Sequence, residues 1–597
     1  MARQQRRQAE RKWRKTRLDS DRKLFLEQND HVNKVISVAK MDYFQEKLSS
    51  CNSKEVYRII YSLLNKKSGH LPIHDSASFL SSQFSLFFVE KIRKIREDID
   101  AYNVVPDTRF VDSVDEVIPL FENFQSYTQP DVSKLIMNST NTSCMLDPIP
   151  TWLLKENLTQ LLPLITDIIN ISLSTGRFPL GAHSAIVRPL LKKPNLDQNE
   201  LSNYRPVSNL SFLGKLIEKA ACSQLIQHIE NNCMFDPVQS AYRSHHSTES
   251  ALVKVKNDIM FSLDSNEVVL IALLDLSAAF DTIDHKILLS RLYSRIGVRS
   301  TALSWFESYL TGWSSRVSIA GELSKPTNLD FGLPQGSIVG PIGYSIYTLP
   351  VGNIIRHHCI NYHLYADDTQ LYISFNPKIP GDLVVALYRL QSCISDIRNW
   401  MLVNKLKLKD AKTEFFIAAS PHSLRSLPDL KLKVGDLSIS PSVTVKNLGV
   451  IFDKEMSMSD RVSQICTTVT FHLRNISRIR RYITQSACNN AISSLVLSRL
   501  DYCNGLLSTI PVTQLDRIQR LQNWAARLIY QVTRSHSPKP LLDSLHWLPV
   551  RHRIVFKLLL LVFKSLNKQA PQYLRDCLTL YTPRRYVRAS SDPLRLT

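Results

Sequence analysis

The sequence predicts an α+β fold: a sheet that presents carboxylates at its edge, wrapped by helices and followed by an almost wholly helical region. Three observations predict it. Val268 to Leu274 reads VVLIALL, a continuous apolar run of the kind buried on both faces of a sheet, and it ends directly in Asp275. Two strand-like runs, Tyr362 to Ala366 and Thr369 to Ser374, flank Asp367 and Asp368 like a hairpin. From Asp460 onward, arginines and lysines alternate with aliphatic residues at helical spacing, as at Arg474, Arg478, Arg480 and Arg481.

Other elements are readable along the chain. Met1 to Lys23 is dominated by Arg and Lys and continues into a charged helix over Leu24 to Leu48, either a solvated linker or a nucleic-acid arm. Val56 to Phe124 starts helical and turns irregular, with Pro106 and Pro119 as breakers. A helix over Leu153 to Leu173 stops at Gly176, with Pro179 close behind. Ala185 to Leu191 reads as a strand, Phe212 to Glu230 as a helix, and His285 to Arg295 as an amphipathic helix. Ser315 to Ile319 and Thr327 to Phe331 are short strands, and Ser337 to Leu349 and Leu383 to Lys405 are helices. Strands near Thr413 to Ala418 and Thr444 to Phe452 close this part. The expected division is a basic helical extension over 1–125, a mixed α/β part over 126–455 and a helical part over 456–597.

Charge narrows the partners. Lys plus Arg number 74 against 53 Asp plus Glu, a net charge of +21, which favours a polyanion such as nucleic acid over an anionic membrane surface. The basic start is not followed by an apolar signal-peptide core, and runs such as Leu558 to Phe563 are too short to span a bilayer. The 10 cysteines are scattered without a CxxC pair, which argues against a zinc knuckle and for reduced thiols inside a cell. His245 and His246 have no carboxylate or cysteine at metal-ligand spacing and read as structural.

Chemistry concentrates on the acidic residues. A helix N-cap or a turn explains any one of them. Together they suggest more, because adjacent carboxylates repel unless a cation offsets their charge. Hard oxygen ligands suit Mg²⁺, which retains substrate phosphates in its shell. Two such ions about 3.5–4 Å apart would activate a primer 3′-hydroxyl and stabilise leaving pyrophosphate. Asp275 and Asp367 would bridge the ions, Asp368 would support them, and the Leu276 carbonyl could add a ligand.

Five segments in order resemble motifs of reverse transcriptases of non-LTR, LINE-type retrotransposons of the jockey and chicken-repeat group. They are NYRPVSNLSFLGKLIEK (Asn203 to Lys219), LLDLSAAFDTIDH (Leu273 to His285), GLPQGSIVGPIGYSIY (Gly332 to Tyr347), LYADDTQLY (Leu364 to Tyr372) and NLGVIFD (Asn447 to Asp453). QSAYRSHHSTESAL (Gln239 to Leu252) resembles the stretch between fingers and palm. SRLDYCNGLLS (Ser498 to Ser508) and Leu545 to Asn567 resemble the thumb and the region after it. The resemblance implies a right-hand polymerase of fingers, palm and thumb with a basic helical N-terminal extension and a helical C-terminal region. It implies an RNA-directed DNA polymerase using Mg²⁺, with Mn²⁺ as a substitute, deoxynucleoside triphosphates, an RNA template and a DNA primer or target. It further implies a ribonucleoprotein with the element's RNA, no membrane partner, and action in nucleus and cytoplasm.

The same resemblance implies residue roles. Phe280 matches the bulky residue under the incoming sugar, where a phenyl ring excludes a 2′-hydroxyl. Gln335 and Gly336 match residues that contact the nucleotide and let the template backbone approach. Arg205 matches the fingers arginine on the triphosphate, and Lys192 a second cation, with Lys193 the adjacent alternative. Lys412 matches the lysine near the leaving pyrophosphate, a general acid, while Lys409 stands where the family often has Asn. Nothing resembles the endonuclease that precedes this region in such elements, which implies a copy truncated at both ends. Two rivals are a catalytically silent nucleic-acid-binding remnant or domesticated copy, and an RNA-dependent RNA polymerase, against which Phe280 argues.

Overall fold

The computed structural model describes residues 2–49, 71–102, 109, 118–142 and 144–579. The helical start expected from Val56, the breaker Pro106 and the end of the chain from Tyr581 lie outside these residues. The chain is mixed α and β, and no helix among the described residues is long and apolar enough to cross a membrane. It divides into two compact units, one of 1–69 and 448–564, the other of 70–447 and 565–597. These units interleave the chain and do not coincide with the three stretches read from the sequence.

The second unit holds two sheets, built by β1 (Ser184–Leu191), β2 (Tyr204–Leu210), β3 (Val268–Leu274), β4 (Ser314–Ile319), β5 (Glu322–Leu323), β6 (Thr327–Asn328), β7 (Asn361–Tyr365), β8 (Asp368–Phe375) and β9 (Glu414–Ala418). One sheet has the order β7-β8-β3-β9, antiparallel throughout. The apolar run of β3 is paired on both sides, and helices Thr248–Asp264 and Asp382–Val403 pack on this sheet, so Val268, Leu270 and Ala272 are fully buried. The other sheet has the order β2-β1-β4-β5, with β6 on β4. Helix Ala77–Asp100 packs on β4 and β5, and its Leu80, Phe84 and Phe88 fill a core with Val187, Tyr204 and Val317.

Most expected elements stand within a residue or two, and the departures have local causes. The helix expected over Leu153 to Leu173 is two, Thr151–Glu156 and Leu158–Thr175, parted at Asn157 and closed by left-handed Gly176. The helix expected over Ser337 to Leu349 starts at Val339 and ends at Tyr347, and Pro350 opens a second helix, Leu349–His357. The strand expected over Thr444 to Phe452 is interrupted at Leu448 and Gly449, both with positive φ. Gly352 is required by a close approach, since a Cβ there would lie 1.9 Å from the buried Asp236 carboxylate. That carboxylate pairs with Arg356 at 2.9 Å and accepts from the Tyr362 hydroxyl at 2.8 Å.

The first unit is helical. Helices Ala2–Thr16 and Asp19–Ser49 form a hairpin fastened by Trp13 stacking on Phe25, centroids 5.5 Å apart, and by a Lys12–Asp21 ion pair. Helices Ser459–Ile479 and Val512–Tyr530 pack together. Arg480, one of the four arginines of the basic pattern, does not face solvent. Its guanidinium donates to the carbonyls of Leu528 (2.8 Å), Ile483 (2.8 Å) and Ile529 (2.6 Å), closing the end of a helix. Arg474, Arg478 and Arg481 remain exposed.

Candidate active site

The carboxylates are gathered by sheet register. Leu274 pairs with Thr369, and Tyr365 pairs with Asp368 across the hairpin turn. Asp275 therefore leaves β3 at the level where β8 begins with Asp368. Ala366, in the turn, has a φ of 55°, a left-handed conformation that costs an L-residue roughly 1–2 kcal/mol. Its N–H donates to the side-chain carbonyl of Gln239 at 3.2 Å.

Electrostatics report the crowding. Burial raises the Asp367 carboxyl above the usual carboxylate range, and the negative charge of Asp275 adds to it. Asp368 is pushed up to about 6 by partial desolvation and then by the charges of Asp367 and Asp275. Buried Tyr344 lies under the same three charges, and half-buried Phe280 packs on it with ring centroids 4.9 Å apart. Leu276 bridges Leu408. The bonds of that bridge run from Lys409 N–H to Asp275 O and from Ser277 N–H to Lys407 O, which leaves the Leu276 carbonyl outside the ladder.

A group of cations stands beside the acids. Lys412 Nζ lies 2.8 Å from Asp275 Oδ2. Lys192, just past β1, donates to the Ser202 carbonyl. Partial burial holds its ammonium below the usual lysine range, together with the positive charges of Lys91, Lys409, Lys412 and Arg205. These five cations give this side of the site a positive field.

Gln335 and Gly336 sit against β2. Ser208 N–H donates to the Gln335 carbonyl at 2.8 Å. Gly336 has a φ of 131°, and a Cβ on it would meet the Ser208 carbonyl at 2.5 Å. The close approach that this glycine permits is thus made by the chain's own strand.

Sequence reasoning missed several residues here. Lys91 is one basic residue of an amphipathic helix, with no local mark of its role. Asp281 follows Phe280; burial pushes its carboxyl up to about 6 against the opposing charges of Lys91 and Lys192. With Ser208 and Gln335 it lines a cavity of about 60 Å³. Glu218 is fully buried, and its Oε2 accepts from the N–H groups of Ile338 (2.5 Å) and Val339 (3.4 Å), capping helix Val339–Tyr347. His246 Nδ1 faces the Ser244 carbonyl, and its ring packs on Tyr573.

Carboxylate oxygens are the donor type that a hard divalent cation takes, and Asp275 and Asp368 leave neighbouring strands at the same level. Among the described residues, no three His, Cys, Asp or Glu side chains close tightly enough to hold an ion alone. Asp275 instead turns one oxygen to Lys412.

Residues 191–452 match the family model described as reverse transcriptase (RNA-dependent DNA polymerase). This stretch is similar to a reverse transcriptase domain. It contains Lys192, Arg205, the three aspartates and Lys412. A protein of Drosophila melanogaster, described as a probable RNA-directed DNA polymerase from transposon X-element, is 21% identical over 461 residues, 76% of this chain and 48% of that protein. The RNA-directed DNA polymerase from mobile element jockey of Drosophila funebris is 26% identical over 339 residues, 56% of this chain and 35% of that protein. A probable RNA-directed DNA polymerase from transposon BS, also of Drosophila melanogaster, is 25% identical over 359 residues, 57% of this chain and 37% of that protein. The chain spans about half or less of the length of these relatives.

Proposed function

We propose that the chain is the RNA-directed DNA polymerase of a non-LTR retrotransposon, extending a primer 3′-hydroxyl on an RNA template with deoxynucleotides. The observation that carries this reading is the meeting of Asp275 with the Asp367–Asp368 turn, next to Lys192, Arg205, Lys409 and Lys412. An acidic pole beside a basic one matches what phosphoryl transfer needs, namely positioning and charge neutralisation.

Asp275, Asp367, Asp368 and the Leu276 carbonyl would hold Mg²⁺, which when bound supplies charge neutralisation and hydroxyl activation. Lys192 and Arg205 would bind the triphosphate, Arg205 through its guanidinium fork. Lys412, already paired with Asp275, would hand a proton to leaving pyrophosphate. Phe280, backed by Tyr344, would exclude a ribose 2′-hydroxyl. Gln335 and Gly336 would flank the nucleotide. The sheet of β7, β8, β3 and β9 is then the palm, the sheet of β1 and β2 the fingers, and the exposed arginines of Ser459–Ile479 the thumb's phosphate contacts. In domain terms this reading assigns 126–455 to fingers and palm, 456–597 to the thumb and post-thumb region, and 1–125 to a basic extension.

Primer extension on an RNA template, wild type beside Asp367→Ala, tests it. The expected outcome is a fall on the order of a hundredfold or more in the variant. Equal activity in both refutes the metal assignment, activity in neither supports a silent nucleic-acid-binding remnant, and preference for ribonucleotides supports an RNA polymerase.

A further inference from the structure

The turn that carries Asp367 is held from outside its own hairpin. The segment before helix Thr248–Asp264 runs alongside β7: Leu364 N–H donates to the Val238 carbonyl at 3.1 Å, and Ser240 N–H to the Leu364 carbonyl at 3.0 Å. Between these two residues, buried Gln239 turns its side-chain carbonyl toward the turn. That one oxygen accepts from Ala366 N–H at 3.2 Å and from Ala241 N–H at 3.0 Å. It is the described partner of the left-handed residue directly before Asp367.

This segment is itself fastened from far along the sequence. Tyr573, in the short helix Gln572–Arg575, belongs to the same compact unit although more than a hundred residues of the other unit precede it. Its hydroxyl lies 2.8 Å from Ser240 Oγ and 2.9 Å from Ser250 Oγ. Ser240 Oγ also meets His363 Nε2 of β7 at 2.8 Å, and the Tyr573 ring packs edge-on to His363 at 5.0 Å. Ser240, Ser250, His363 and Tyr573 are all buried. A buried hydroxyl with two partners in one network fixes all three segments, because losing it strands the others without water to replace it.

We propose that Gln239 is a positioning residue that sets the metal-binding geometry of the Asp367–Asp368 turn, and that Tyr573 latches the segment carrying it. The inference rests on the two-metal reading above. Mg²⁺ demands near-ideal octahedral geometry, so a turn released from Gln239 loses metal affinity before it loses its fold.

The test uses the full chain and three variants. Mn²⁺ binding is followed by electron paramagnetic resonance without nucleotide, the Mg²⁺ half-saturation of primer extension is measured, and thermal melting checks folding. Gln239→Leu, which removes the acceptor, is expected to raise the Mn²⁺ Kd and the Mg²⁺ half-saturation about tenfold. Gln239→Asn, which keeps a neutral amide acceptor on a shorter side chain, is expected to lie between Gln239→Leu and wild type. Tyr573→Phe keeps the ring and is expected to shift both quantities in the same direction by about threefold. A merely structural role would lower the melting temperature and the active fraction without moving either midpoint. The proposal is overturned if Gln239→Leu and Tyr573→Phe leave both within about twofold of wild type. If Gln239→Leu does not fold, Tyr573→Phe alone decides. A wild type that binds no Mn²⁺ refutes the metal reading itself. A wild type that binds Mn²⁺ but does not copy RNA refutes the polymerase reading and leaves the Mn²⁺ comparison to decide the role of Gln239.

Discussion

Replacing Glu218 by Gln should change how the stability of the chain depends on pH. Glu218 is fully buried, and burial raises its carboxyl from 4.5 to about 7 despite the two N–H groups that favour the charged form. A raised folded-state pKa means that the protonated form suits the fold better. Its contribution is fully present below the unfolded value of 4.5 and is lost as pH rises through about 7. Holding the proton up to about 7 instead of 4.5 makes the full loss about 3 kcal/mol. Glutamine has no proton to lose. Its amide oxygen can still accept from Ile338 and Val339, and its NH₂ can turn to the Tyr309 hydroxyl on the other side. The stability difference between variant and wild type should therefore move in favour of the variant between pH 4.5 and 7 and level off above. Urea unfolding at half-unit intervals from pH 5 to 8 measures it. Parallel curves for the two proteins would refute the argument, whichever of the two is more stable.

Five other positions have definite expected outcomes. Gly352→Ala should destabilise the chain by roughly 1–3 kcal/mol, because the new methyl would overlap the buried Asp236 carboxylate and push it off the Tyr362 hydroxyl; thermal melting checks it. Arg480→Ala should lower the melting temperature by stranding three carbonyls, whereas Arg478→Ala should leave melting unchanged and weaken RNA–DNA duplex binding in a salt-dependent way. Phe280→Ala should raise the incorporation of ribonucleotides relative to deoxynucleotides in single-turnover extension, by on the order of tenfold or more. Lys412→Ala should cut the rate of nucleotide addition by about a hundredfold with little change in duplex affinity, measured by rapid quench and by binding titration.

What was legible in the sequence has a common cause. VVLIALL ending in Asp275 and the YADD hairpin are both local patterns whose meaning does not depend on distant partners. Their register then brings the carboxylates together without further instruction. What was illegible depends on distant partners. Lys91 and Tyr573 belong to ordinary-looking stretches, and Gln239 opens a motif-like stretch that gives it no role of its own; the significance of all three comes from segments that meet only after folding. Arg480 reads as one more basic residue in a charged helix, because nothing local distinguishes a guanidinium that caps a neighbouring helix from one in water. The expected start of the helix after GLPQGS is too early because its true start is held by Glu218, well over a hundred residues upstream.

The return of Tyr573 to the sheet has a consequence for synthesis on the ribosome. The last strand of that sheet is complete at Ala418, yet Ser240 and His363 wait for a residue 155 positions later. At about 5–20 residues per second, the nascent protein passes on the order of ten to thirty seconds with this notch open. During that interval the partly made chain would carry Ser240 and His363 without the Tyr573 hydroxyl, so that this buried network closes only once translation has run well past the sheet itself.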